Sequence, residues 1–354
     1  MDGLMGRYAP GALRSFVAEA LHRGGALWEE AELVADALVC ADLRGVHSHG
    51  VVRSAVYLKR LQAGSIRAGA DLSVVHDAGA AVVCDAGSGF GVVAAARAMD
   101  LAVERAARYG VGAVGVRNSN HCGMLAYFTL RAVARGAVGV ALSNADAQVA
   151  PFGARTRYFG TNPISVGIPG GEEPPVVLDM ATSEVAHGRV RAAALRGEPI
   201  PRTWALGPDG RPTTDPHEAL RGALLPFGGA KGSGLALVVD VLAGLLTGAG
   251  SGPEITPLYE ELDRPQGVGH LMVALWPDAF CGLSTLRERV DRLVREVRAL
   301  PPAEGFDRVW LPGEMEHRRD AEARRMGVGL PEESVLALQE VARAVGLRAP
   351  EALA

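Results

Sequence analysis

Apolar residues recur every three to four positions through the first sixty residues, then give way to short β-branched runs cut by glycine and proline. Pro10, suited to a first helical turn, precedes the stripe Leu13, Phe16, Val17, Ala20 and Leu21. A second stripe runs through Leu33, Val34, Ala37, Leu38 and Ala41, so residues 10–63 read as helical throughout. From about residue 73 the pattern predicts strands over 80–84, 111–116, 137–143, 164–168, 175–179 and 271–275. Helical periods over about 91–109, 122–135, 233–247 and 283–299 are interleaved with them, and Pro331 opens a last amphipathic helix through Val335, Leu338, Val341 and Ala342. This is an α/β texture with helical ends. The proline-rich stretch 199–226 reads as an ordered surface excursion, a lid or an interface arm.

With 354 residues, 48% hydrophobic and 21% charged, the chain can bury a large core and divides into two domains or one domain with an appendage. Its net charge of −4, without any Lys/Arg block, offers nucleic acid no electrostatic footprint. The four cysteines are scattered and form no C-x-x-C, which fits reduced thiols in the cytoplasm. The longest apolar run, 235–246, is interrupted by Asp240 and is short for a bilayer, so no membrane partner is expected.

Residue usage narrows the search for chemistry. All four asparagines, Asn118, Asn120, Asn144 and Asn162, lie in one short window, and Lys59 and Lys231 are the only lysines among 36 basic residues. Gly87-Ser88-Gly89-Phe90-Gly91 follows a strand and opens a helix, as a dinucleotide fingerprint does. Its third glycine comes one residue early, however, and no acid ends a strand about 20 residues later, so a structural turn is the better reading. Gly228 to Gly234 places Lys231 ahead of an apolar helix, where backbone amides and the ammonium can meet a phosphate, although Gly232 breaks the Walker order.

Arg44-Gly45-Val46-His47-Ser48-His49-Gly50-Val51-Val52-Arg53 is denser in polar function. If Ser48 caps a helix from 49 to about 62, then His49, Arg53 and Tyr57 stack at i, i+4 and i+8. That face can bind a carboxylate, with Arg53 as the bidentate fork and Ser48, His49 and Tyr57 around it. The alternative is an ordinary solvated helix face. His121, in Asn118-Ser119-Asn120-His121-Cys122-Gly123 between a strand and a helix, is the candidate general base. Asp179 ends an apolar strand and can orient a histidine, bind a cofactor or simply cap a helix.

Together with Gly160-Thr161-Asn162-Pro163, Asp179-Met180-Ala181-Thr182-Ser183, the glycines around Lys231 and Leu311-Pro312-Gly313-Glu314, these segments resemble the type-2 malate/lactate dehydrogenase family in order and spacing, over about residues 10–347. That family includes sulfolactate and ureidoglycolate dehydrogenases and reductases of cyclic imino acids. The resemblance implies an α/β, non-Rossmann fold: a mixed β-sheet cofactor domain flanked by helices over 73–299, with an excursion at 186–226, and a helical domain built from 1–72 plus 300–354. It further implies NAD or NADP as cofactor, a homodimer, and a small 2-hydroxy or 2-oxo acid as substrate. Carried onto this chain, His121 is the acid/base, joined by His49 and Asp179 as catalytic candidates. Ser48, His49, Arg53 and Tyr57 form the substrate side; Asn120, Thr161, Asn162, Asp179, Met180, Ala181 and Lys231 form the cofactor side. Cys122, Ala145 and Ser233 depart from the family's usual residues at positions that line its site. Two readings of other classes stand beside this one: a metal-dependent hydrolase using His47, His49, His121 and Asp179, and a non-catalytic carboxylate-binding module.

Overall fold

The computed structural model describes residues 4–353. Strand β1 (Leu4–Tyr8) leads into α1 (Pro10–Arg23), α2 (Trp28–Leu43) and α3 (Arg53–Gln62). The expected continuous helicity over 10–63 is therefore broken twice. Between α1 and α2 the buried Glu30 carboxylate accepts from Leu27 N, the N-cap of α2, at 3.2 Å and from Gly69 N, in the segment after α3, at 3.0 Å.

Seven strands make the central sheet. β2 (Ser73–Asp77) and β3 (Ala81–Asp85) precede α4 (Gly91–Tyr109); β4 (Val111–Ser119) precedes α5 (Ala126–Ala134); β5 (Val138–Ser143), β6 (Ile164–Ile168) and β7 (Val176–Met180) follow. The excursion then contributes α6 (His187–Arg196), β8 (Ala205–Leu206), α7 (Pro216–Arg221) and β9 (Ala223–Leu224). After it come α8 (Ala230–Val239), β10 (Val268–Leu275), α9 (Leu283–Arg298), α10 (Glu314–Met326), β11 (Val328–Pro331) and α11 (Glu332–Val345). The sheet order is β2-β3-β4-β10-β5-β6-β7. Only β3 and β4 run parallel; every other neighbour in the sheet is antiparallel, which rules out a doubly wound nucleotide fold. All six strands expected from the pattern form. The exposed edge strand β2, too polar to signal itself, and the short elements of the excursion do not appear in the periodicity.

α4 and α5 cover one face of the sheet, and the segment after α8 covers the other. On the first face a single hydrophobic core runs from α1, α2 and α11 through α4 and α5 to Val114, Ala141 and Met272 of the sheet. β1 pairs antiparallel with β11, so the two ends of the chain close on each other beside this core. The excursion packs its own small cluster, including Val190, Ala193, Ile200, Ala205 and Leu224, against Val149 and Phe159, and so is ordered.

The glycine turn before α4 is filled by the protein itself. Asn120 Nδ2 donates to the carbonyls of Ser88 and Gly89 at 3.0 and 2.9 Å, and a Cβ on Gly91 would land on the Asn120 carbonyl oxygen. Its glycines serve close packing of α4 under the loop that carries His121.

α8 does not stop at Val239 but continues through a π turn over 240–244 and a 3-10 turn to Thr247. The resulting 18-residue helix, Ala230–Thr247, is long and apolar enough to cross a bilayer by length and composition, which corrects the estimate made from the run 235–246. Its inner side is nonetheless built into the protein: Asp240 is buried and takes a hydrogen bond from Asn144 Nδ2 at 3.2 Å.

Candidate active site

The site begins with a carboxylate removed from water. Asp42, on the last turn of α2, is buried; Oδ1 meets His47 Nδ1 at 2.8 Å and Oδ2 accepts from Val51 N at 2.7 Å. Burial pushes the Asp42 carboxyl up, and the hydrogen bond from His47 opposes that shift. Supplying those donors forces residues 47–49 into a 3-10 turn, so α3 begins only at Arg53, with Val52 rather than Ser48 at its N-terminal boundary. The expected stacking of His49, Arg53 and Tyr57 on one helix is thus replaced: only Arg53 and Tyr57 share α3. The turn nevertheless returns Ser48 and His49 to the same place, with Ser48 Oγ 3.0 Å from His49 Nδ1 and Arg53 Nε donating to Ser48 O at 2.7 Å.

His121 arrives from the sheet. β4 runs three residues further than its apolar pattern, and α5 starts at Ala126 instead of 122, because Asn120 to Leu125 form a loop with Gly123 at φ 79°. The loop is anchored by buried amides: Asn120 as described, and Gln266, whose Oε1 accepts from His121 N at 2.9 Å. Tyr57 Oη lies 2.7 Å from His121 Nδ1, and the His49 and His121 rings stack at 5.6 Å with 15° between planes. Burial, then the nearby Arg53, holds His121 well below the ordinary histidine range, and the same causes hold His49 down to about 3. Both rings are neutral at pH 7.

These groups open onto a cleft of about 430 Å³. Of the residues singled out in the sequence, Ser48, His49, Arg53, His121, Thr161 and Ala181 line it, and Tyr57 stands directly behind His121. Several others do not line it. Asn120 and Asn162 are buried framework: Asn162 Oδ1 accepts from Ala145 N at 3.1 Å and Nδ2 donates to Ala236 O at 2.9 Å, so both ends of its amide are engaged within the protein. Asp179 and Met180 end β7 just before the lining residue Ala181. Asp179 Oδ2 accepts from Ala126 N at 2.7 Å at the start of α5, and crowding by protein pushes its carboxyl up to about 7 although one side of the residue keeps solvent contact. Lys231 is exposed on the first turn of α8. Cys122 and Ala145 line the cleft, whereas Ser233 Oγ accepts from Phe152 N at 2.9 Å away from it.

The hydrolase ligand set is not assembled. His47 is turned to Asp42, Asp179 to Ala126, and among the described residues no three His, Cys, Asp or Glu converge as metal ligands. The cleft does fit a nicotinamide. Cys122, Gly123, Pro163, Ala181 and Val268 add neutral surface to the cleft that His121 lines, with Thr161 adding a hydroxyl, a lining suited to a flat ring bearing an amide.

Some of the site carries no local signal. Arg60, fully buried and without an acidic partner, donates from Nε to Leu258 O at 2.8 Å and from its Nη groups to Pro257 O at 2.5 Å and Arg264 O at 2.9 Å. It thereby fixes the loop that brings Pro257, Leu258, Tyr259 and Glu260 to the cleft. His270, also buried, bridges Ser119 Oγ at 2.8 Å and Ser143 Oγ at 2.9 Å, tying β4 and β5 to β10 under the cleft floor; burial pushes it down to about 4. Asp146, Arg157, His187 and Arg191 complete the walls. An Arg on an apolar helix face and a His inside a strand were the only marks available in the sequence, and neither points to a loop 200 residues away.

This mixed sheet, with a histidine, an arginine and a neutral ring-sized wall at one cleft, matches a known group of enzymes. The family described as malate/L-lactate dehydrogenase matches residues 9–339. The L-sulfolactate dehydrogenase of Methanocaldococcus jannaschii is 35% identical over 334 residues, covering 94% of this chain and 96% of the relative. Its solved structure superposes with a TM-score of 0.89 over 97% of this chain and 98% of that one, at 34% identity. The NAD(+)-dependent ureidoglycolate dehydrogenase of Escherichia coli O157:H7 is 34% identical, covering 89% of this chain and 90% of its own. The NADP(+)-dependent (2R)-3-sulfolactate dehydrogenase of Chromohalobacter salexigens is 38% identical, covering 86% and 88%. The chain belongs to the malate/L-lactate dehydrogenase family and is an NAD(P)-dependent dehydrogenase.

Arg60→Met should leave the carbonyls of Pro257, Leu258 and Arg264 without partners, at about 1–3 kcal/mol for each one that stays buried. Urea denaturation should therefore give a loss of about 3 kcal/mol or more, with a raised KM. An unchanged midpoint would remove Arg60 as the clamp of this loop.

Proposed function

We propose that the enzyme transfers a hydride between the nicotinamide of NAD or NADP and C2 of a small (S)-2-hydroxy acid of the malate or lactate type, with His121 moving the proton. The observation that carries this reading is the 2.7 Å pair between Tyr57 Oη and His121 Nδ1, which leaves Nε2 as the ring nitrogen free for the cleft. For Nε2 to accept a proton, Nδ1 must carry hydrogen and donate it to the Tyr57 oxygen. The phenol hydrogen then has the His121 carbonyl oxygen, 3.4 Å away, as its acceptor. Burial raises the Tyr57 pKa, so the phenol stays protonated and itself takes no part as a base.

The bound nicotinamide supplies the hydride acceptor at C4. The protein supplies the rest. Arg53, with Nε held by Ser48 O and Nη1 by the Tyr259 hydroxyl, turns its remaining N–H groups to the substrate carboxylate. Ser48 and His49 fix the acid further, so that the C2–H bond is aimed at the ring while the C2 hydroxyl meets His121. Neutral at rest, His121 is already in its base form; the carboxylate on Arg53 offsets the imidazolium charge as the proton arrives. In reduction the imidazolium returns that proton to the forming alkoxide. We place the nicotinamide against Thr161 and Ala181, and assign Lys231 to a cofactor phosphate on its exposure at the glycine-flanked start of α8. Asp179 is not given a proton-transfer role, because it lies off the cleft.

We also propose a cytoplasmic homodimer. Free thiols at Cys40, Cys84, Cys122 and Cys281 suit a reducing compartment. The outer face of 230–247 leaves Leu245 58% and Leu246 64% exposed beside Leu237, Val238 and Val241, an apolar patch that a second copy can cover.

Three measurements test these assignments. His121→Ala should lower kcat by about 10²-fold or more at 340 nm with malate or lactate, leaving cofactor affinity nearly unchanged. Near-full turnover would take His121 out of the reaction. Because its pKa is depressed, the free enzyme loses the imidazolium proton well below pH 6.5. The kcat/KM for 2-oxo acid reduction should therefore fall about tenfold per unit from pH 6 to 8 while that for oxidation shows no histidine limb there. A plateau in the reductive profile up to pH 7 would contradict a depressed His121. Light scattering should find a dimer that Leu245→Glu with Leu246→Glu converts to monomer; a wild-type monomer would end the dimer proposal.

A further inference from the structure

Tyr259 lines the cleft and meets both the main body and the excursion through its side chain. Its hydroxyl oxygen accepts from Nη1 of Arg53, the first residue of α3. Its ring lies near Arg191 of α6, the first helix of the excursion, whose Cζ is 5.2 Å from the ring centroid. The backbone is pinned on both sides of it, because buried Arg60 donates to the carbonyls of Pro257, Leu258 and Arg264. Tyr259 is nonetheless 49% exposed, so core packing does not account for a ring held from three directions.

A phenol both accepts and donates. Arg53 supplies the hydrogen that the Tyr259 oxygen accepts, and the hydroxyl's own hydrogen has no acceptor among the described residues. Two acids share the lining, but Asp146 is engaged by Gln148 Nε2 at 2.6 Å, and neither it nor Glu260 takes a bond from Tyr259. An open O–H therefore stands beside the guanidinium that binds the substrate carboxylate in the reading above. A carboxylate has about four lone-pair sites, more than one arginine fork occupies. We propose that Tyr259 is a substrate-binding residue, which accepts from Arg53 and donates its hydroxyl hydrogen to the same carboxylate. One carboxylate is then held jointly by α3 and by the loop that Arg60 clamps. Arg191 acts on this contact through the ring, setting the place of the hydroxyl from the excursion side. The inference rests on Arg53 as the carboxylate arginine and adds the donor beside it.

Tyr259→Phe keeps the ring and removes only the hydroxyl. With the better of L-malate and L-lactate as substrate, it should raise KM about tenfold and leave kcat within about threefold, because the contact is made in ground state and transition state alike. NADH and NADPH titrations by fluorescence, and the urea midpoint, should match wild type. In an Arg53→Gln background Tyr259→Phe should still lower kcat/KM by about threefold or more, as a direct donor does. Arg191→Leu should lower kcat/KM by about two- to fivefold in wild type and by less than about 1.5-fold in Tyr259→Phe, since it acts through the hydroxyl. An unchanged KM in Tyr259→Phe, a weakened cofactor titration, a loss that vanishes in the Arg53→Gln background, or an Arg191→Leu cost that is the same with and without the hydroxyl would each overturn the inference. A loss in Arg53→Gln with none in Tyr259→Phe strikes the inference alone. Unchanged kinetics in Arg53→Gln, or a wild type that turns over neither acid with either cofactor, would instead defeat the hydroxy-acid reading, and the inference with it.

Discussion

The loops that bring Ser48, His121 and Tyr259 to the cleft are each held by a polar side chain taken out of water, and the need to satisfy that side chain shapes the site. A buried carboxylate or amide without partners costs several kcal/mol, so the backbone bends to supply them. Asp42 unwinds the start of what would otherwise be one longer helix and thereby aims Ser48 and His49. Asn120 and Gln266 hold the His121 loop from both sides, and Gln266 N in turn donates to Asn120 Oδ1 at 3.3 Å. Asn144 reaches Gly250 O and Gly269 N, and Asn162 reaches Ala236 O, so the same device ties the sheet to the long helix 230–247. Arg60 does for the Tyr259 loop with carbonyls what Asp42 does for its turn with amides.

Electrostatics then follow from which of these buried groups can be neutral. His49, His121 and His270 shed their protons on burial and stay uncharged, whereas the arginines cannot. The cleft is left with fixed positive charge and neutral imidazoles, a combination that attracts an acid and offers it a base. In the reaction proposed above, an acid bound at Arg53 would offset the cation that, after burial, lowers the His121 pKa, coupling substrate charge to proton transfer.

The asparagine cluster illustrates how a correct location can carry an incorrect role. Scarcity of asparagine elsewhere pointed to residues 118–162, and the cleft is indeed built there. Yet Asn118 and Asn162 hold positive φ angles, and Asn120, Asn144 and Asn162 are buried with their amides bonded within the protein, to backbone and, for Asn144, also to Asp240. They are the frame around the chemistry. Composition cannot separate a side chain that touches a ligand from one that holds the loop that does.

Local pattern by itself determined the α/β class, the six strands, the α4 and α9 helices and the family, because apolar periodicity and short motif strings survive without three-dimensional context. It also brought Ser48, His49, Arg53 and His121 to attention as one chemistry. The tertiary structure alone decided that the serine-histidine segment is a turn, that Asp179 and Lys231 stand off the cleft, and that Arg60, Tyr259, Gln266 and Arg191 belong to the site. These depend on contacts between residues far apart in the chain. The free energy of burying and pairing a polar group is set by what the fold brings beside it, which no stretch of neighbouring residues encodes.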